Sequence, residues 1–456
     1  MGAIASFLSA VFWGVVLFSA LVFVHEGGHF LAARACGARV TEFFLGLPCR
    51  FRLVWRSKRI GTTFGVTPFL LGGYAAICGM DPEEAPHAAA VLGAVHRRGK
   101  ATVDELAEEL SITPEEALDA CAFLMSWASV APVYDASKGE KPSSGYYPST
   151  YAAVPRDRAG LTVYDGRAFD RAHATAEGEP WEPPMGDDAF LAQERSRTYM
   201  GKGFWERAAM LLAGIGVNIV SGFLIMVFAY SVLGTSVARD VNVLGDVTAG
   251  SPAAEAGIRA GDRILSVDGT ETGSWTAILK AIEDSGAKPG DAVTLECERD
   301  GAKRTVDVKL DAEGHLGIAV STETVRISPL QAAEVTGAYL VQTAHGISQL
   351  FVPARTMEVL DNSSSIVGIS SMASQAASEG PSTFLWLAAL ISFSLAFMNL
   401  LPIPPLDGGK LLIEVVQAVT RRAVPVKVQT YISYAGIALF GLLFLYTLRG
   451  DILRLI

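Results

Sequence analysis

Four apolar runs, roughly Phe7–Phe30, Phe204–Leu233, Phe384–Leu401 and Val428–Leu448, constrain this chain more than any other feature. About 20 consecutive apolar residues are needed to cross ~30 Å of hydrocarbon as a helix. The whole composition agrees: half of the 456 residues are hydrophobic and 18% are charged, with a mean hydropathy of +0.33, too apolar and too poor in charge for an ordinary soluble enzyme. The first run is not a secretory signal, because Lys and Arg are missing ahead of it and cleavage near Ala33 would discard the histidines that follow.

Lys and Arg then orient the spans. Arg34, Arg39, Arg50, Arg52, Arg56, Lys58 and Arg59 follow the first run, and Lys410, Arg421, Arg422 and Lys427 lie between the third and fourth. Basic loops stay in the cytoplasm, so the N-terminus, residues 235–383 and the short tail are expected outside, with Arg449 and Arg454 running against the trend.

The aqueous pieces have patterns of their own. Residues 40–80 carry β-rich pieces such as Phe51–Trp55 and Gly61–Val66, broken by Gly46, Pro48, Gly61, Gly65, Pro68, Gly72 and Gly73; a membrane-associated β-hairpin is expected, with its amides satisfied by protein or a wet cavity. Residues 81–200 hold 21 acidic and 11 basic side chains, the whole of the chain's net charge of −10. Within them Ala88–Arg98, Val103–Leu110 and Pro114–Ser129 read as helices, the last two capped by Thr102 and Thr113. Short strands between Tyr134 and Tyr164 would complete a winged-helix-like insert, and residues 174–190 read as a flexible linker. The third helix carries Glu115, Glu116 and Asp119 and neither Lys nor Arg, so a DNA-bound regulator is not expected, and neither is any nucleic-acid partner. Residues 240–325 have strand-like runs at Val241–Val247, Arg263–Val267, Ala292–Arg299 and Thr305–Leu310. They resemble a PDZ domain, whose groove would accept a peptide end as an added strand or which would serve as a spacer. Residues 326–383 read as a connecting amphipathic segment, and 384–456 as the last two spans. The five cysteines are scattered and odd in number, which predicts no disulfide framework.

The chemistry is concentrated in His25-Glu26-Gly27-Gly28-His29, which continues the apolar run of the first span. Residues i and i+4 share a helical face, so two imidazoles can hold one metal ion while the carboxylate between them reaches the attacking water. Ionisable groups at membrane depth cost ~2.5 kcal/mol or more on insertion scales, which argues for a role rather than an accident. A second motif, Asn399-Leu400-Leu401-Pro402-Ile403-Pro404-Pro405-Leu406-Asp407-Gly408, ends the third span on the same expected side, so Asp407 can approach the two histidines.

With both motifs in place the chain resembles the site-2 protease family of intramembrane zinc metalloproteases, in its bacterial regulator-of-sigma-E branch. The likeness extends over Leu71–Tyr74, the second span, the PDZ-like segment and Ile369–Ser374. It implies Zn²⁺ held by His25, His29 and Asp407, with Glu26 as general base. It implies cleavage of single-span membrane proteins, such as anti-sigma factors or signal-peptide remnants, in a bacterial inner membrane. It further implies Asn218, Asn399, Gly72 and Gly73 as substrate-binding residues, although a buried membrane Asn can also simply join helices. The sequence departs from that branch in having Ile215 after Gly214 and in the length of the 81–200 insert. A non-catalytic scaffold with a vestigial metal site is the competing reading, and the complete set of expected ligands argues against it.

Overall fold

The computed structural model describes residues 2–70, 72–80, 85–141 and 146–455; Leu71, part of the Leu71–Tyr74 likeness, lies outside them. Among the described residues four helices are long and apolar enough to cross a membrane. The chain divides into two compact units, residues 1–226 with 335–456, and residues 227–334.

In the first unit, helix α1 (Gly2–Ala35) leads into strands β1 (Val40–Leu45), β2 (Leu53–Arg56), β3 (Thr63–Val66) and β4 (Gly73–Ile77). The expected hairpin is only a part of what forms. β2 and β3 are antiparallel neighbours, but β3 also pairs with β1 in parallel and β1 with β4 antiparallel, giving the order β2-β3-β1-β4. The reason is apolar: Phe43 and Phe64 gather around Phe30 of α1, so β1 becomes the central strand against that helix.

The insert contains α2 (Ala88–Arg98), β5 (Lys100–Thr102), α3 (Val103–Leu110), α4 (Pro114–Ser126), β6 (Val130–Val133), β7 (Thr150–Ala153) and α5 (Asp187–Arg195). Thr102 and Thr113 cap α3 and α4 as expected, and each does so in a capping box, its hydroxyl accepting from the N3 amide while the N3 glutamate accepts from the cap amide. The strands make one antiparallel sheet in the order β5-β7-β6, and Leu92, Leu106, Leu124 and Tyr151 fill the core. Residues 174–190 are not a linker. Trp181 packs on His96 and Phe190, and Phe190 is fully buried in the insert core. Two aromatic anchors outweigh a Glu-, Pro- and Gly-rich composition.

A buried ion network joins the insert to the end of α1. Arg39 donates to both oxygens of Asp165 (3.0 and 2.9 Å) and of Glu194 (2.6 and 3.1 Å). Arg156 meets the other edges of Glu194 at 2.7 and 2.8 Å. Both arginines are essentially inaccessible, and such charges persist only when paired and hydrogen-bonded on every side.

Helix α6 (Phe204–Phe228) continues through a single π-helical turn to Leu233, so the expected second span ends where hydropathy placed it. The second unit contains β8 (Thr235–Ala238), β9 (Leu244–Val247), α7 (Pro252–Glu255), β10 (Arg263–Val267), β11 (Thr270–Glu271), α8 (Trp275–Asp284), β12 (Ala292–Arg299), β13 (Ala302–Lys309), β14 (Ile318–Val320) and β15 (Thr322–Val325). An antiparallel sheet β11-β10-β12-β13 and the pair β14-β9 close around Ile264, Val267, Ile278, Val293 and Leu316. A groove of about 580 Å³ is lined by Trp275, Leu279 and Ile282 of α8 and by Leu316, Gly317 and Ile318.

The rest of the chain is helical: α9 (Pro329–Ser348), α10 (Pro353–Asp361), α11 (Ile366–Glu379), α12 (Pro381–Asn399), α13 (Asp407–Thr420) and α14 (Val426–Leu455). The region expected to be a connector includes α11, which packs along α1 and α12 through Leu17, Leu21, Ala373 and Leu387. Asp451 of α14 accepts from the amides of Ser365 (2.7 Å) and Gly368 (3.2 Å), satisfying the start of α11.

Candidate active site

His25 and His29 lie one turn apart near the end of α1, and their rings meet edge to face with centroids 4.7 Å apart. Asp407, the first residue of α13, comes from 378 residues further along the chain. Its Oδ2 is 3.1 Å from His25 Nε2 and 3.2 Å from His29 Nε2, and the two Nε2 atoms are 3.2 Å apart. Three donors on a tetrahedral zinc ion, bound at about 2.0–2.1 Å, would be spaced about 3.3 Å apart. The side chains therefore define one face of such a site.

The far nitrogens of both rings rest on α6, and at His29 this decides the tautomer. His29 Nδ1 is 2.8 Å from the Met210 carbonyl and can only donate to it, which leaves the lone pair on Nε2. His25 Nδ1 is 3.2 Å from the Asn218 amide. Two imidazole nitrogens and a carboxylate oxygen converging within 3.1–3.2 Å of one another are a donor set of the kind that zinc takes.

Helix α6 supplies this backing because its residues 210, 214 and 218 share one face. A Cβ on Gly214 would lie 2.4 Å from His29 Nε2 and 2.8 Å from His25 Cε1; a glycine is needed there for the helix to approach the histidines. On the side of the aspartate, Gly409 permits the turn that aims Asp407. Its Cβ would meet Pro404 N at 2.1 Å, so α13 starts folded back on the proline-rich segment.

The Oε2 of Glu26, between the two histidines in sequence, accepts from Ala75 N of β4 at 3.1 Å. A cavity of about 90 Å³ joins Glu26, His29 and Asp407, with Ala75, Tyr199 and Lys410 among its other walls. Such a volume admits water and a peptide group but no helix of about 10 Å diameter.

The remaining expected site residues are placed as follows. Asn218 is fully buried behind His25, and its carbonyl accepts from Ser392 of α12 at 2.8 Å. Gly72 O accepts from Gly46 N at 2.7 Å, just beyond the ends of β4 and β1. Gly73 opens β4, and a Cβ there would be 3.6 Å from Glu26 Cγ. Asn399 is half-buried at the end of α12. Sequence reasoning overlooked the Met210 carbonyl and the Ala75 amide because backbone groups leave no signature in side-chain identity. Tyr199 and Glu414 were also missed, although Glu414 is a carboxylate on the helix that begins at Asp407.

A helical membrane fold with a H-E-x-x-H helix, and an aspartate brought against both of its histidines, is what an intramembrane zinc metalloprotease requires. The chain belongs to peptidase family M50, the site-2 proteases, whose family model matches residues 13–443. It is 26% identical to the regulator of sigma-W protease RasP of Bacillus subtilis, over 98% of this chain and 99% of that protein. It is 27% identical to the zinc metalloprotease RasP of Shouchella clausii, over 97% and 98% of the two chains. A solved PDZ domain of the SdrC-like protein from Listeria monocytogenes is 27% identical over 19% of this chain and 93% of that one, with a TM-score of 0.16.

Proposed function

We propose that His25, His29 and Asp407 hold the zinc ion, that Glu26 is the general base, and that the reaction is hydrolysis of a peptide bond within the membrane segment of a single-span protein. The observation that carries this reading is the triangle of donor atoms at 3.1–3.2 Å beside a carboxylate. Zinc in that position supplies Lewis-acid polarisation of the scissile carbonyl and of the attacking water. Glu26, fixed by Ala75 N, takes the proton from water as its oxygen bonds to the carbonyl carbon. The same carboxyl then delivers that proton to the leaving nitrogen as the C–N bond breaks, so no net proton is consumed in these two steps.

β4 is an edge strand of its sheet and lies beside Glu26. An unwound substrate segment pairing with that edge, near Gly72 and Gly73, would present its carbonyl in extended form, which the size of the cavity also demands. Asn399 remains a candidate for contacting the same segment. The sigma-W regulator in the name of one relative favours anti-sigma factors as substrates, and signal-peptide remnants share their single-span chemistry. The α8 groove of the PDZ-like domain is suited to a peptide end added beside β14, which would filter substrates by what remains outside the membrane. The order of helices and strands in the insert, with its β5-β7-β6 sheet, supports the winged-helix reading, and its acidic α4 favours a protein contact over nucleic acid.

The test is cleavage of a single-span substrate by purified wild type and Glu26→Gln, with zinc measured in both. Cutting by wild type alone, with about one zinc in each, is expected; full activity in Glu26→Gln would sink the assignment of the base.

A further inference from the structure

The insert returns to the point from which it leaves. Tyr199 N donates to Cys78 O at 2.8 Å, Met200 N to Gly79 O at 3.2 Å, and Arg39 N to Arg197 O at 2.8 Å. The last residues of the insert are thus tied by backbone bonds to the end of β4 and to the chain leaving α1. From this fixed position the Tyr199 side chain, 3% exposed, forms a wall of the cavity shared by Glu26, His29 and Asp407.

Its hydroxyl is committed elsewhere: it donates to Glu414 Oε1 at 3.1 Å. Glu414 lies two turns beyond Asp407 on α13 and is itself buried. Its second oxygen is 3.0 Å from an Arg207 terminal nitrogen, at the start of the helix that backs both histidines. The insert, the helix of the aspartate and the helix behind the histidines therefore meet at one carboxylate. At its other face the insert grips the end of α1 through Arg39, and Arg34 donates to the Tyr164 carbonyl.

We propose that Tyr199 is a positioning residue: through Glu414 it fixes α13 so that Asp407 meets His25 and His29, and a docked insert is thereby a condition for tight zinc binding. The insert bridges the two elements that bring the metal donors from opposite ends of the sequence. Because the phenol is already bonded to Glu414, it is not a free donor for substrate, which separates this role from catalysis. The inference rests on Asp407 as a zinc ligand.

The experiment measures zinc affinity against a competing chelator, and the visible spectrum of the cobalt-substituted full-length protein, for wild type, Tyr199→Phe, Glu414→Gln, Glu414→Ala and Asp407→Ala. Tyr199→Phe keeps the ring and removes one hydroxyl, and circular dichroism checks that each variant is folded. The expected result is zinc binding weaker by about 10-fold or more in Tyr199→Phe, the scale seen when a group behind a ligand is removed, together with a shifted cobalt spectrum. Glu414→Gln keeps an acceptor and should lie nearer wild type than Glu414→Ala. In the Glu414→Ala background Tyr199→Phe should cost nothing further, since coupled residues are not additive. Unchanged affinity and spectrum in Tyr199→Phe, or independent losses in the two single variants, would overturn the proposal. Asp407→Ala separates the two layers: wild-type affinity and spectrum there would refute the ligand assignment itself.

Discussion

Asn218 illustrates how a residue type that is legible in sequence takes its role from packing. Its Nδ2 is 3.2 Å from His25 Nδ1, while its Oδ1 is buried without a partner. A zinc ion on His25 Nε2 would require a proton on Nδ1, and the Asn218 amide, turned over, would accept it through Oδ1. That arrangement would fix the His25 tautomer as the Met210 carbonyl fixes that of His29. Asn218→Ala should therefore weaken zinc binding by about 10- to 100-fold, the usual cost of losing the partner behind a metal-bound histidine; chelator competition measures it, and unchanged affinity would leave Asn218 only its bond to α12. Gly214→Ala should act more severely, because its methyl would lie 2.4 Å from His29 Nε2. We expect zinc content well below one equivalent in an otherwise folded protein, read by metal analysis. The H-E-x-x-H helix and the Asp407 turn were readable because their chemistry resides in side-chain identity and spacing. What Gly214 and Asn218 do was not readable, because a Gly-x-x-x-Asn spacing marks a shared face without saying what lies against it.

At the scale of elements, the insert shows where local signals suffice and where they fail. α2 and α3 have the expected ends, and α4 the expected start, since caps and helix-forming runs are local. The segment around Trp181 and Phe190 was misread because its composition is polar and its two anchors find partners only in the folded domain. The same fold buries a set of charges whose titration gives a direction for stability. Burial, with Arg156 beside it, pushes His96 down to about 3 from its usual 6.5. His96 Nε2 faces Arg156 Nε at 3.2 Å, its Nδ1 bonds the Leu92 carbonyl, and Trp181 and Phe190 cover the ring. Burial raises Glu194, but Arg156 and Arg39 overcome it and hold it well below its usual 4.5. Each group binds protons more readily unfolded than folded, so stability is complete above about pH 6.5 and declines as pH falls. The histidine contributes first, below 6.5, and Glu194 adds its loss below 4.5. Amide exchange in α2 and α4, corrected for its intrinsic pH dependence, should lose protection between pH 7 and pH 4. Flat protection would contradict the sign. Glu194→Ala leaves two arginines buried without their common partner and should cost about 3–5 kcal/mol, seen as a lower unfolding midpoint of the insert.

For the whole molecule, the order of spans sets a constraint that no single element contains. The insert lies between the first and second apolar helices and the PDZ-like domain between the second and third, so a single crossing separates them in the chain. They should therefore face opposite sides of the membrane, whatever the absolute orientation. From Arg50, Arg52, Arg56, Lys58 and Arg59 after α1 and Lys410, Arg421, Arg422 and Lys427 before α14, the insert side is expected to be the cytoplasmic one. Arg39 is a poor vote in that count, since Asp165 and Glu194 neutralise it inside the protein, yet the remaining charges agree. The last turns of α1 and the first of α13, which carry the proposed metal ligands, would then lie toward the cytoplasmic side, where water could reach Glu26. Single cysteines replacing the exposed Glu179 of the insert and Lys288 of the PDZ-like domain test this with a membrane-impermeant maleimide on intact cells stripped of their outer layers. Cysteine at 288 should label before lysis and cysteine at 179 only after it. The reverse pattern would invert the orientation while leaving the crossing count intact, whereas labelling of both before lysis would mean that one of the four helices does not span.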